Sequence, residues 1–199
     1  MNKDAIIRKY ETKNNKLIIF QDWNAESPRV NCDNLGTFVF YHRNYAYGDI
    51  NNPTEMELAD IKSDLEKPHE KLKVYMVDHS GIGFSTGSYN DPWDSSQVGF
   101  IYVTHDKIKH EFGHITDELL DKIRSSLQEE IKELNRYARG YVYGFILYEL
   151  EHCPHCNNTA EIEIENGYGH ITENPEEILN YACESEDEVK ELLAGEVKI

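Results

Sequence analysis

The stretch "LKVYMVDHSGIGFSTGSYNDPWDSSQVGFIYVT", residues 72–104, decides the fold class. Its apolar pieces "LKVYMVD", "IGFSTG" and "VGFIYVT" predict three strands of an antiparallel meander, with "HSG" as a tight turn and "SYNDPWDSSQ" as a longer loop. Upstream, "TEMELADIKSDLE" predicts a helix over about 54–66, because Thr54 and Glu57 have capping-box spacing and Met56, Leu58, Ile61 and Leu65 share a face. Further out, "KLIIFQDW" predicts a strand over 16–22 and "LGTFVFYHR" another from Leu35. The intervening "NAESPRVNCDN" is too polar and irregular for regular structure.

Downstream, Thr116 is placed to cap a long helix, with Asp117 and Glu118 in its positively polarised first turn. Leu119, Leu120, Ile123, Leu127, Ile131 and Leu134 recur at helical spacing along it. "GYVYGFILYEL" then predicts a strand returning to the same sheet, across which the helix would lay its apolar stripe. "AEIEIE" predicts a short strand with Ile162 and Ile164 on one face and Glu161, Glu163 and Glu165 on a wholly acidic other face. "NPEEILNYA" and "SEDEVKELLAG" predict two short helices, the second with Ser185 and Glu188 as a capping box and Gly195 as its stop. Strands in runs with helices set apart from them indicate an α+β fold, mainly an antiparallel sheet packed by one long and one short helix. The expected division is an α+β body over 1–150 and a small acidic C-terminal region over 151–199 that begins with paired cysteines.

The net charge of -17 over 199 residues constrains function. It argues against direct binding to nucleic acid, which depends on cations displacing counterions from phosphates. Residues 145–199 hold 14 Glu or Asp against 2 Lys, so the acidity is concentrated there. No run approaches the roughly 20 apolar residues of a membrane-spanning helix, and "MNKDAIIRKYETKNNK" lacks the apolar block of a signal peptide. The expectation is a cytoplasmic protein whose four cysteines are thiols or metal ligands rather than a disulfide framework.

Four patterns could carry chemistry. In "DHSG", Asp78, His79 and Ser80 are sequence neighbours; a turn closed by Asp78 and Ser80 suits them better than a triad, which is assembled in space beside an oxyanion hole. An enzyme reading joins Asp78 and His79 to Asp94 of "YNDPWDSSQVG" and to His42 and Arg43, as divalent-metal ligands or general acid–base groups. The alternative for that loop is a turn stiffened by Pro92 and anchored by Trp93. In "HCPHC", Cys153 and Cys156 have the spacing of a zinc-knuckle half-site; of the candidate further ligands Cys183, His170, His152 and His155, none at a diagnostic spacing, His170 and Cys183 are taken to complete the set, and unliganded thiols and a redox pair are the other readings. "GHITDE" and "GHITEN" repeat a His-apolar-Thr pattern found in two-histidine phosphoesterases, but the first falls at a helix N-cap and the second in the most acidic region, so the match reads as coincidence. The acidic surface, with Glu161, Glu163, Glu165, Glu176 and Glu177, is either a solvated face or a mimic of nucleic-acid phosphates that occupies a basic groove.

The segments ESPR, DNLG, YHR, DHSG, PWDSSQVGFIYV and VYGF, spread over most of 20–147, together resemble a family of small proteins encoded by bacteriophages, plasmids and integrative elements, chiefly of Gram-positive bacteria. In that family a CxxC and a glycine-aromatic turn tend to follow the last strand, which Cys153, Cys156 and "NGYGH" resemble. The resemblance implies no assigned reaction. It implies a context: accessory proteins of mobile elements redirect or block host machinery, including restriction and CRISPR defences. The expected function is therefore binding to a host protein, such as a nucleic-acid-binding defence component. The alternative is a metal-assisted hydrolase of a nucleotide or phosphate-containing substrate, built on the acid–base set above.

Overall fold

A computed structural model describes residues 5–78, 81–89, 95–156 and 158–197, with the side chain of Asn31 left aside. It is α+β, as the sequence predicts, but with two sheets in two compact units rather than one sheet. One unit is the continuous segment 27–139. The other combines 1–26 with 140–199.

In the unit 27–139, β3 (Thr37–Phe40), β4 (Ile50–Asn51), β5 (His69–Asp78), β6 (Ile82–Ser85) and β7 (Ser95–Thr104) form a sheet in the order β4-β3-β7-β5-β6. All neighbours are antiparallel except β3 and β4. The three predicted strands are present and antiparallel, but they do not form a meander: β6 pairs with β5 at the edge, and β7 crosses to the other side of β5, between it and β3. That central position explains why "VGFIYV" reads as an unbroken apolar run: both of its faces are covered. Ile101 and Val103 join Phe38, Phe40, Val74 and Met76 on one face, where Ile123, Leu127, Ile131 and Leu134 of the long helix α4 (Asp117–Ala138) pack. On the other face Val39 and Tyr102 meet Ile61 of α2 (Glu55–Glu66). The capping boxes and caps read from Thr54 and Thr116 are formed. Burial of each such Ile or Leu side chain contributes about 1.5–3 kcal/mol.

Two short helices complete this unit: α1 (Pro28–Asn31), inside the segment read as irregular, and α3 (His105–Phe112), capped by Thr104. At the foot of α4, Glu70 of β5 accepts from Arg124 Nε at 2.6 Å and lies 3.2 Å from His105 Nε2. Burial pushes the Glu70 pKa up, but the bonds from Arg124 and His105 outweigh it and hold the carboxyl below its ordinary value.

In the second unit, β1 (Ile6–Glu11), β2 (Asn15–Gln21), β8 (Val142–His152) and β9 (Thr159–Ile171) form an all-antiparallel sheet, ordered β1-β2-β8-β9. Tyr10, Leu17, Ile19, Tyr143, Phe145 and Leu147 share its inner face. Over them lie Ile178 of a 3₁₀ turn (Pro175–Ile178), Leu179 and Ala182 of α5 (Leu179–Ala182) and Leu192 of α6 (Glu186–Ala194). The strand "VYGFILYEL" therefore returns to "KLIIFQ" and not to the sheet of β5, β6 and β7, and α4 packs on that other sheet. A boundary near Leu150 falls inside β8, and the acidic C-terminal segment supplies the helical layer of this unit.

β9 also departs from simple alternation. Leu147 pairs with Glu165 while Tyr148 pairs with Glu163, so Ile164 is one residue too many for its partner strand, a β-bulge. Ile162 and Ile164, expected to face the core, are 41% and 52% exposed. No helix among the described residues is long and apolar enough to cross a membrane.

Candidate functional site

The polar signature "ESPR…DNLG…YGD" converges on one buried cation. Ser27 caps α1 by accepting the backbone N–H of Arg29, and Pro28 at the first helical position needs no hydrogen-bond acceptor. The Arg29 guanidinium, its side chain 2% exposed, donates Nε to Asp49 at 2.9 Å, Nη1 to Glu130 at 2.7 Å and Nη2 to the Gly36 carbonyl at 2.8 Å. Its Nη2 also binds Asp49 Oδ2. The carboxylates are themselves satisfied: Asp49 accepts the Phe38 N–H at 2.7 Å, and Glu130 accepts those of Leu35 and Gly36 at 2.9 and 3.1 Å. Burial lowers the Arg29 pKa, but Asp49 and then Glu130 more than compensate and raise it. A charge so fully enclosed by fixed partners holds the loop to β3 and α4 and leaves no hydrogen-bonding capacity for a substrate.

Of the proposed acid–base set, His79 and Asp94 lie outside the described residues, as do Ser80, Pro92 and Trp93. The other three are described. His42 stacks on Tyr45, ring centroids 4.8 Å apart, and on Phe40 at 5.9 Å. Its Nδ1 accepts the Asn44 backbone N–H at 3.1 Å, while Asn52 clasps its main chain from both sides, N–H to Oδ1 at 3.1 Å and Nδ2 to carbonyl at 2.8 Å. One imidazole nitrogen is thus committed to its own turn. Arg43 is exposed in the same loop, and Asp78 is exposed at the end of β5. Tyr47, which packs edge-on to Phe84 at 5.2 Å, links the two places: burial chiefly raises its pKa, with smaller contributions from Tyr137, Tyr45 and Asp78. His42 and Asp78 therefore border one aromatic cluster, with no hydrogen bond joining them among the described residues.

The four proposed zinc ligands do not assemble. Cys153 and Cys156 sit in the turn after β8. His170 pairs with Tyr143, nine residues along the strand from His152, which is roughly 30 Å away at strand spacing. Its ring lies between Phe145 and Tyr181, centroids 5.6 and 4.6 Å away, and burial lowers its pKa. Cys183 lines a cleft with Leu147 and Glu165, roughly 20 Å along the strand from Cys153. Burial first, then Glu188 and Glu165, pushes its pKa up to about 11. Among the described residues no three His, Cys, Asp or Glu side chains are grouped as a metal site. The Cys153 sulfur accepts from the backbone N–H of His155, from the Cys156 thiol and from the Cys156 N–H, which holds its pKa below the ordinary value.

Nor do the five acidic residues form one surface. The bulge at Ile164 sends Glu165 to the inner face while Glu161 and Glu163 stay on the outer face. There Glu161 is paired with Lys16 Nζ at 2.7 Å. Glu176 and Glu177 are exposed on the 3₁₀ turn, Glu177 accepting the Thr172 hydroxyl at 2.6 Å.

A more coherent acidic concavity lies in the unit 27–139, where the sequence pointed to none. A cleft of about 710 Å³ is bounded by the loop after α1, by the end of α3 and by the solvent side of α4. Asp33, Glu111, Glu129, Glu130 and Glu133 supply five carboxylates to its wall, against the two cations Lys107 and Arg136. Leu35 and Phe112 supply its apolar lining, and Phe112 is 46% exposed. Lys107 Nζ donates to the Asn34 carbonyl at 3.2 Å, and Glu130 is held by Arg29, so those two side chains are fixed in place. The signal for this cleft was the "EEIKE" run of α4, whose Glu129 and Glu133 are one turn apart, but the apolar stripe alone does not reveal what its polar side will face. Comparison with protein-family models, with curated proteins and with solved structures finds no match for the chain.

Proposed function

We propose that this chain is an accessory protein of a mobile genetic element that acts by binding a host protein, and that the acidic cleft of the unit 27–139 receives a basic segment of that partner. The observation that carries this reading is the cleft itself: four carboxylates besides the Glu130 held by Arg29, against two cations, around an exposed Phe112 in a concavity of about 710 Å³. A surface of this kind suits an Arg- or Lys-rich segment, whose charged heads pair at the rim while the stems cover Leu35 and Phe112. Basic segments are what nucleic-acid-binding defence components present to phosphates, so a carboxylate-lined cleft competes with nucleic acid for the same groups. The net charge of -17 adds long-range steering towards such a partner and keeps nucleic acid itself away.

The test uses an oligo-arginine peptide as probe and compares the wild-type chain with Glu129→Lys/Glu133→Lys on α4, the first exposed and the second half-buried. Anisotropy titrations should show binding that weakens at least tenfold in the variant and falls with added salt. Affinity capture from a host lysate should lose the same bands in the variant. Equal binding by both proteins would overturn the assignment of the cleft, and charge reversal of Glu161 and Glu163 would then test the outer face of β9.

A further inference from the structure

Beyond the cleft, the best-defined unassigned chemistry is the turn Cys153-Pro154-His155-Cys156 at the end of the β8–β9 hairpin. The last strand pair is His152 with Thr159, and the Cys153 N–H closes the turn onto the Asn158 carbonyl at 2.9 Å. Pro154, His155 and Cys156 form the tight turn that follows Cys153, so both cysteines lie at the same hairpin end. Two sulfurs held together by one turn in this way are half of a tetrahedral thiolate site. No helix begins at the motif, so the arrangement lacks the helix N-terminus that drives dithiol redox chemistry.

The other half is not supplied nearby. The His152 ring is fully engaged, Nε2 donating to the Lys13 carbonyl at 2.7 Å and Nδ1 accepting from the Thr159 hydroxyl at 2.9 Å. His170 and Cys183 are placed elsewhere along the sheet, and no third ligand is grouped with the pair among the described residues. Pro154, His155 and Cys156 are exposed, at a hairpin end that continues beyond the last β2 pairing at Asn15 with Glu149. A second copy of the chain presents the same two sulfurs, and a two-fold axis through the metal would bring them to the remaining corners.

We propose that the Cys153–Cys156 turn is a half-site for a soft divalent cation of the zinc type, completed by the same turn of a second copy, so that one ion bridges two chains through four thiolates at about 2.3 Å. Glu149, Glu151, Glu161 and Glu163 on the same hairpin repel the second copy. Salt therefore strengthens this association, opposite to its effect on the cleft, and the two proposals fail independently.

The test uses the full chain, stripped of metal and kept reduced with a non-thiol reductant, titrated with Zn²⁺ and with Co²⁺ as a spectroscopic substitute. Expected are saturation at one ion per two chains, a doubled mass by sedimentation equilibrium and a thiolate-to-Co²⁺ charge-transfer band. Cys153→Ser and Cys156→Ser should each lose all three with an unchanged far-ultraviolet spectrum, while Cys32→Ser and Cys183→Ser keep them. Uptake of one ion per monomeric chain, binding that survives Cys153→Ser, or no uptake at all would each overturn the proposal.

Discussion

Arg29 is the clearest case of a residue whose removal costs more than its contact count suggests. Arg29→Ala leaves Asp49 and Glu130 facing each other without the guanidinium that neutralises them, and strands the Gly36 carbonyl. Breaking a buried pair from one side costs about 3 kcal/mol or more, and urea unfolding should show that loss; Arg29→Lys should recover only part of it, since an ammonium cannot span both carboxylates. His170 gives a second residue-scale prediction. Burial between Phe145 and Tyr181 keeps its imidazole neutral, so its folded pKa lies below the ordinary 6.5. The unfolded chain then binds the proton more readily. The stabilising contribution is complete above 6.5 and is lost as pH falls through the folded value. An NMR titration of the ring should place its midpoint below 6.5, and His170→Phe should flatten the stability profile over that range. The same environment sets His170 apart from the Cys153–Cys156 turn: one-letter spacing carries no information about the rings that enclose a side chain.

Helices and strands were legible where one interaction dominates. α2, α4 and α6 have side-chain caps and apolar spacing that do not depend on partners, and their starts lie where Thr54, Thr116 and Ser185 place them. β1 and α1 were missed for a different reason. "IIRKYE" alternates weakly and is ordered by pairing with β2, while α1 is only four residues long and is held by Arg29. β7 shows how an element can depend on one small residue. Val74 pairs with Gly99 but Tyr75 with Gln97, so Val98 is an extra residue, and Gly99 adopts φ +159. A Cβ there would lie 1.9 Å from the Val39 carbonyl oxygen of β3. Gly99→Ala should therefore push β3 and β7 apart and destabilise by about 1–3 kcal/mol, with amide exchange accelerated first at the Thr37–Phe40 pairings.

At the scale of the molecule, the sequence pattern contained the strands but not their assignment to sheets. "KLIIFQ" and "VYGFIL" are separated by more than a hundred residues and look equally able to join the predicted meander. Pairing across that distance is settled by side-chain fit, which pattern alone does not encode. The outcome is a continuous segment, 27–139, inserted between two adjacent strands, β2 and β8, of another unit. The segment carries its own core between α4, the sheet and α2. Expressed alone, residues 27–139 should unfold in one cooperative transition followed by circular dichroism, and should retain oligo-arginine binding; a broad, non-cooperative melt would contradict the division.

The bulge at Ile164 has a consequence for how this surface could change over time. Removal of the codon for Ile164 would make Leu147–Glu165 and Tyr148–Glu163 consecutive pairs, so β9 would alternate regularly through this stretch with Glu163 still outward and Glu165 still inward. A three-nucleotide deletion elsewhere in this stretch of β9 would instead carry every residue on one side of it to the opposite face. The bulge therefore marks where this strand can lose a residue and still keep its inner and outer faces apart.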